Sequence, residues 1–159
     1  VVMGKPMGNG HPMGAVFTTH EIAAALGEME FFSTFGGNPV SCAIGMAVLD
    51  VIENDELMER ARRLGDRLTE GLAELKQTHD IIGDVRGRGL FLGFEMVRDR
   101  ESKEPASDEA LSLVDGMRER DVLLSTDGPM RNVIKIKPPM VLNEDDIDDT
   151  LSKIGHLLS

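Results

Sequence analysis

The chain has 159 residues, with 17 basic and 28 acidic side chains and a formal net charge of −11. An acid excess of that size repels a phosphodiester backbone and an anionic bilayer alike, so neither nucleic acid nor a membrane surface is expected as a partner. No apolar run approaches the roughly 20 residues of a bilayer span, and the single cysteine, Cys42, leaves no internal disulfide to form, which suits a reducing, cytoplasmic compartment.

No signal-peptide pattern opens the chain. Val1-Val2-Met3 reads as the end of an apolar strand entered from elsewhere, which fits a piece of a longer protein as well as a trimmed small one. Gly4 to Gly14 holds four Gly and two Pro in eleven residues, a density that excludes a helix or a central strand. Ala15 to Thr19 is a predicted short strand, and Thr19 caps a predicted helix from His20 to about Leu26. An irregular stretch from Phe31 to Gly37 leads to Asn38-Pro39, an N-cap residue followed by proline at the first helical position. The helix from Pro39 to about Glu53 places Val40, Ala43, Ala47 and Val51 on one face, and Cys42 reads as a small core residue. Asn54-Asp55 opens a longer helix in which Leu57, Ala61, Leu64, Leu68, Leu72 and Leu75 recur at steps of 4, 3, 4, 4 and 3, an amphipathic stripe that packs one side only.

From Asp80 the period shortens to two. Ile81 to Val85 is a predicted short strand and Gly89 to Val97 a longer one, with Leu90, Leu92, Phe94 and Met96 on one face. The charged run Arg98 to Glu104, closed by Pro105, is a solvated loop, and Ser107 caps a helix to about Arg120. Val122 to Ser125 and Asn132 to Lys137 are two further strands, separated by a turn around Asp127-Gly128-Pro129; the second must stop at Pro138-Pro139. Asn143 caps a last helix that starts with Glu144, Asp145 and Asp146, favourable against its dipole, and buries Ile147, Leu151, Ile154 and Leu158. Strand, strand, helix, strand, strand, helix with short turns spells an α+β fold, a small, mainly antiparallel sheet with helices on one face. Strands in the first 55 residues have no obvious partners within the chain.

Familiar motifs fail one by one. The phosphate-loop pattern breaks because Pro6 follows Lys5, and the glycine pairs Gly8/Gly10 and Gly87/Gly89 each find their next glycine one residue too late for a dinucleotide fingerprint. His20-Glu21 begins a zinc-protease pattern that ends at Ala24, and His11, His20, His79 and His156 are scattered, so no metal site is expected. Lys5 is different. A lysine one residue beyond a strand, held in a Gly/Pro loop, is fixed in place with its amine approachable, as Schiff-base chemistry requires; an ordinary surface lysine in a turn is the alternative.

The wording around it, Val2-Met3-Gly4-Lys5-Pro6-Met7-Gly8-Asn9-Gly10-His11-Pro12, resembles the segment around the pyridoxal-phosphate lysine of class III aminotransferases. Three further passages are similar to that family in the same order: Ser33-Thr34-Phe35-Gly36-Gly37-Asn38-Pro39, Val85-Arg86-Gly87-Arg88-Gly89-Leu90, and Lys135-Ile136-Lys137-Pro138-Pro139. The resemblance implies the C-terminal part of a fold-type I α/β enzyme, with residues 1–55 the tail of the large cofactor-binding domain and 56–159 the small domain. It also implies that Lys5 holds pyridoxal 5'-phosphate through its amine, that Thr34 donates to the cofactor phosphate across a homodimer interface, and that the parent acts on a small-molecule amine. A purely capping role at a helix entry is the alternative for Thr34.

Most of the family carries arginine where Lys135 stands, to clamp a substrate carboxylate in two parallel bonds, and lysine cannot reproduce that fork. Lysine there, together with the Lys5-Pro6-Met7-Gly8-Asn9-Gly10-His11-Pro12 wording, most resembles the alanine-glyoxylate aminotransferase 2-like branch, which includes phospho-lyases of amino-alcohol phosphates. The expected function is therefore a phospho-lyase with Lys135 on the substrate anion. A transaminase moving an amino group to a keto acid and a non-catalytic α+β interaction module are the alternatives, and a strand-edge lysine facing solvent is the alternative for Lys135.

Overall fold

A computed structural model describes residues 1–159. The chain divides into two compact units, Val1–Leu57 and Met58–Ser159. No helix is long and apolar enough to cross a membrane.

In the first unit, β1 (Val2–Met3) and β2 (Ala15–Val16) pair antiparallel, Val2 with Val16 and Met3 with Ala15. The opening strand thus has a partner inside the chain, contrary to the sequence expectation. The partner was hidden because each strand is only two residues long, and the loop between them conceals the hairpin. That loop is not wholly irregular either. Lys5–Gly8 closes one turn of 3-10 helix, which needs too few hydrogen bonds for glycine and proline to forbid it. Next come α1 (His20–Gly27), where Thr19 Oγ1 accepts from the Ile22 N–H, and α2 (Pro39–Asn54), where Asn38 Oδ1 accepts from the Ser41 N–H at 2.9 Å. The expected face of α2 is turned outward: Val40 and Val51 are exposed, as are Ala43, Ala47 and Cys42, while Gly45 is buried and Ser41, Ile44 and Val48 are half-buried. α2 is apolar nearly all round, so periodicity alone does not choose its packed side.

The second unit is built on α3 (Leu57–Thr78), β3 (Ile82–Arg88), β4 (Phe91–Asp99), β5 (Glu104–Pro105), α4 (Ser107–Arg118), β6 (Ser125–Asp127), β7 (Val133–Ile136) and α5 (Glu144–Leu158). The sheet order is β3-β4-β7-β6 with β5 on β4, and every pairing is antiparallel. Leu92, Phe94 and Met96 of β4 and Ile134 and Ile136 of β7 meet Leu64, Leu68 and Leu72 of α3, Leu113 and Met117 of α4, and Ile147 and Ile154 of α5 in one core. The helices therefore cover one face of the sheet, as the alternation in β4 predicts. α3 lies close against the β3–β4 turn because both residues at the crossing are glycine: a side chain on Gly65 would overlap the backbone of Gly89. α5 opens with a full capping box, Asn143 Oδ1 accepting from the Asp146 N–H while Asp146 Oδ2 accepts from the Asn143 N–H.

Three local expectations shift. The charged run expected as a loop is strand at both ends, Arg98 and Asp99 closing β4 and Glu104–Pro105 forming β5 paired with it, because the turn between is short enough for the chain to fold back and pair. The strand expected at Val122–Ser125 forms at Ser125–Asp127, since it is register against β7, Thr126 opposite Ile134, that selects the paired residues. Ser107 does not cap α4: Ala106 holds that position, and the Ser107 hydroxyl donates to the Met130 carbonyl at 2.6 Å.

Candidate active site

Lys5 begins the one-turn helix between β1 and β2, after an extended Gly4, and adopts φ +48°. A non-glycine residue in that left-handed region costs on the order of 1 kcal/mol, so the surrounding turn must hold it there. Asn9 at φ +46° and Gly10 at φ +106° bend the chain away, with the Asn9 N–H donating to Pro6 O at 3.0 Å and the His11 N–H to Gly8 O at 3.1 Å. The Lys5 side chain is exposed and joins none of the chain's ion pairs.

Thr34 lies in the turn that leads into α2 and is also exposed. The capping role open to it is filled by other residues: Ser33 Oγ accepts from the Gly36 N–H at 3.0 Å and Asn38 caps α2. The Thr34 hydroxyl is left unengaged. No direct bond joins the Lys5 and Thr34 turns, yet both are tied to the amino end of α2. His11 Nε2 and Ser41 Oγ are 2.8 Å apart, and Asn38 Nδ2 donates both to Ser41 Oγ at 2.9 Å and to Phe35 O at 2.8 Å.

Lys135 lies in the second unit, on the sheet face opposite the helices. β7 runs between β4 and β6, so Lys135 is not on an edge strand. Register aligns Arg86, Gly93, Lys135 and Ser125 in one row across four strands. Gly93 has no side chain, and one would meet the Ile134 carbonyl, so a recess of about 310 Å³ opens there, bordered by Arg86, Lys135, Phe91 and Asp127. Lys135 Nζ donates to Asp127 Oδ2 at 2.5 Å with its side chain 30% exposed. That bond, helped by the Gly128 N–H, holds the Asp127 carboxyl below its ordinary range. Arg86 donates to Asp84 and Glu95, each at 2.8 Å, and these two bonds raise its guanidinium above the ordinary value. Neither Gly93 nor Asp127 was marked by the sequence; the strand register is the signal that selects them.

Residues 1–158 match the family described as Aminotransferase class-III. The chain belongs to the class III aminotransferase family. Over 159 residues it is 48% identical to alanine--glyoxylate aminotransferase 2 homolog 2, mitochondrial, of Arabidopsis thaliana, covering 100% of this chain and 33% of that protein. It is 44% identical over 161 residues to ethanolamine-phosphate phospho-lyase homolog 1 of Caenorhabditis elegans, covering 100% of this chain and 34% of the relative. A solved phospholyase from Arthrobacter in complex with phosphoethanolamine superposes with a TM-score of 0.92 at 44% identity, covering 99% of this chain and 37% of that one. The chain thus spans about a third of the length of the curated relatives it matches. Members of the class III family depend on pyridoxal phosphate. The first unit suits that group where it can be tested: an exposed, unpaired amine at Lys5 and an unengaged hydroxyl at Thr34 are donors with no competing partner in the chain.

Proposed function

We propose that these residues are the C-terminal third of a pyridoxal phosphate enzyme that eliminates phosphate from a small amino-alcohol phosphate. Val1 to about residue 55 would end its large domain, and the rest would be its small domain. Lys5 would hold the cofactor by its amine, and the Thr34 hydroxyl would donate to the cofactor phosphate across a homodimer interface. When bound, pyridoxal phosphate supplies an electron sink for the charge left on a carbon that loses its proton. The Lys5 amine would take the proton from the substrate carbon that bears the amine. The substrate's phosphate then leaves from the adjacent carbon, and water releases an aldehyde and ammonia.

The recess at Gly93 is the observation that carries the lyase reading. It is bordered on opposite sides by Arg86, paired with Asp84 and Glu95, and by Lys135, paired with Asp127, so a substrate anion would bind there by exchanging with those carboxylates, and a lysine in place of an arginine fork favours a phosphate over a planar carboxylate. Lys135 is a point charge with no fixed fork, which suits a tetrahedral anion once its amine exchanges Asp127 for the substrate. The relatives include proteins named for each chemistry, and the aminotransferase name of the Arabidopsis protein keeps the transaminase as the second reading. That relative is also named mitochondrial, so a cytoplasmic location belongs to the proposal.

The test offers the full-length enzyme phosphoethanolamine and, separately, an amino acid with pyruvate. Inorganic phosphate and ammonia are expected in the first case, at a higher rate than alanine in the second. Alanine formed without phosphate release from the first substrate would select the transaminase, and a protein with neither activity the interaction module.

A further inference from the structure

We propose that His11 and Ser41 are positioning residues that moor the Lys5 turn to the amino end of α2. This rests on the reading of Lys5 as the amine that holds the cofactor. The hairpin that carries Lys5 has three residue pairs at its base, Val1 with Phe17, Val2 with Val16 and Met3 with Ala15, beneath a loop of eleven residues from Gly4 to Gly14. So short a ladder is marginal alone and does not fix the direction of a side chain well above it. Lys5 also holds a left-handed backbone conformation that relaxes unless its surroundings oppose it.

Two contacts at the far end of the loop supply that opposition. Met13 wedges between Gly8 and Gly45 of α2: a side chain on Gly8 would come 3.0 Å from Met13 Cγ, and one on Gly45 would come 2.9 Å from Met13 Cε. Both glycines are buried. The second contact is the bond between His11 Nε2 and Ser41 Oγ at 2.8 Å, in a half-buried setting. Its direction follows from proton supply. Asn38 Nδ2 already donates to Ser41 Oγ, so the serine hydroxyl hydrogen is free to donate to His11 Nε2, with the imidazole proton on Nδ1. Asn38 Nδ2 also donates to Phe35 O, one residue past Thr34. A continuous line of hydrogen bonds thus runs from the Lys5 loop through Ser41 and Asn38 to the Thr34 turn. The two groups assigned to the cofactor are held to one rigid point, the first turn of α2.

The test uses the full-length protein containing these residues and compares His11→Phe, Ser41→Ala, their double variant and His11→Gln, whose side chain can accept the serine hydroxyl at similar reach. Without cofactor, amide exchange of Lys5 to His11 is expected to speed up about tenfold in His11→Phe and in Ser41→Ala, with no further gain in the double variant and near wild-type exchange in His11→Gln. With pyridoxal phosphate, the pH midpoint of the visible band is expected to shift by about half a unit or more in the same two variants and to recover in His11→Gln. Unchanged exchange in both single variants would remove the mooring. Faster exchange with an unmoved midpoint would leave His11 a fold contact and overturn its positioning role. If Ser41→Ala fails to fold, the His11 pair decides alone. A wild-type protein whose band does not disappear on borohydride treatment would instead overturn the reading of Lys5, with the exchange experiment still reporting the mooring separately.

Discussion

Val1–Leu57 is the more apolar unit by sequence, with 28 apolar residues in 57 against 37 in 102 for Met58–Ser159, yet it buries almost nothing. Its only buried residues are Gly8 and Gly45, while Phe31, Phe32 and Phe35 lie open, Phe32 at 86% exposure. The second unit sinks Phe94, Leu72, Met117 and Ile154 completely. Apolar content therefore does not make a core. A sheet face and three amphipathic helices give the second unit two layers that close on each other, whereas a short hairpin and two helices give the first no second layer.

The comparison breaks most visibly at the core. Phe94→Ala is expected to cost about 3–5 kcal/mol of unfolding free energy, measured by denaturant titration of the chain; a loss below about 1 kcal/mol would mean that the second unit is no better packed than the first. Next, the 159-residue chain alone is expected to bind pyridoxal phosphate at least about a hundredfold more weakly than the full-length protein, because Lys5 and Thr34 alone of the groups proposed to hold the cofactor lie within these residues. Stoichiometric borohydride trapping at micromolar cofactor would show that this unit needs no more than its own residues.

Smaller effects sharpen the contrast. Phe32→Ser and Val40→Ser are expected to leave the chain's stability within about 0.5 kcal/mol, as exposed positions do; a larger loss in thermal unfolding would reveal packing in the first unit. The least effect concerns Asp127. Its folded-state pKa is depressed, so its bond to Lys135 adds stability above the ordinary carboxylate value of about 3.9, and that stability is lost as pH falls through the depressed folded value. An NMR titration of Lys135→Ala is expected to move the Asp127 midpoint upward. No movement would separate the pair.

Helix ends and the helical core stripe were written locally. Asn38-Pro39 and the Asn143/Asp146 box satisfy backbone groups within three residues, and the leucines of α3 repeat at the helical period, so short-range chemistry is enough to find them. The lysine segment and β7, which ends at Ile136 just before Lys137-Pro138-Pro139, were readable for the same reason, as short stretches of wording. What local pattern does not carry is choice among equals: which side of the apolar helix α2 packs, why Cys42 faces outward, which residues pair with β7, and that Ser107 reaches Met130 rather than capping its own helix. Nor does it show that Gly93 leaves a gap between Arg86 and Lys135, or that His11 meets Ser41 thirty residues away. Those outcomes depend on strand register and on contacts between segments distant in the chain, where the energy difference between two apolar faces or two registers is set by what the rest of the fold brings opposite them.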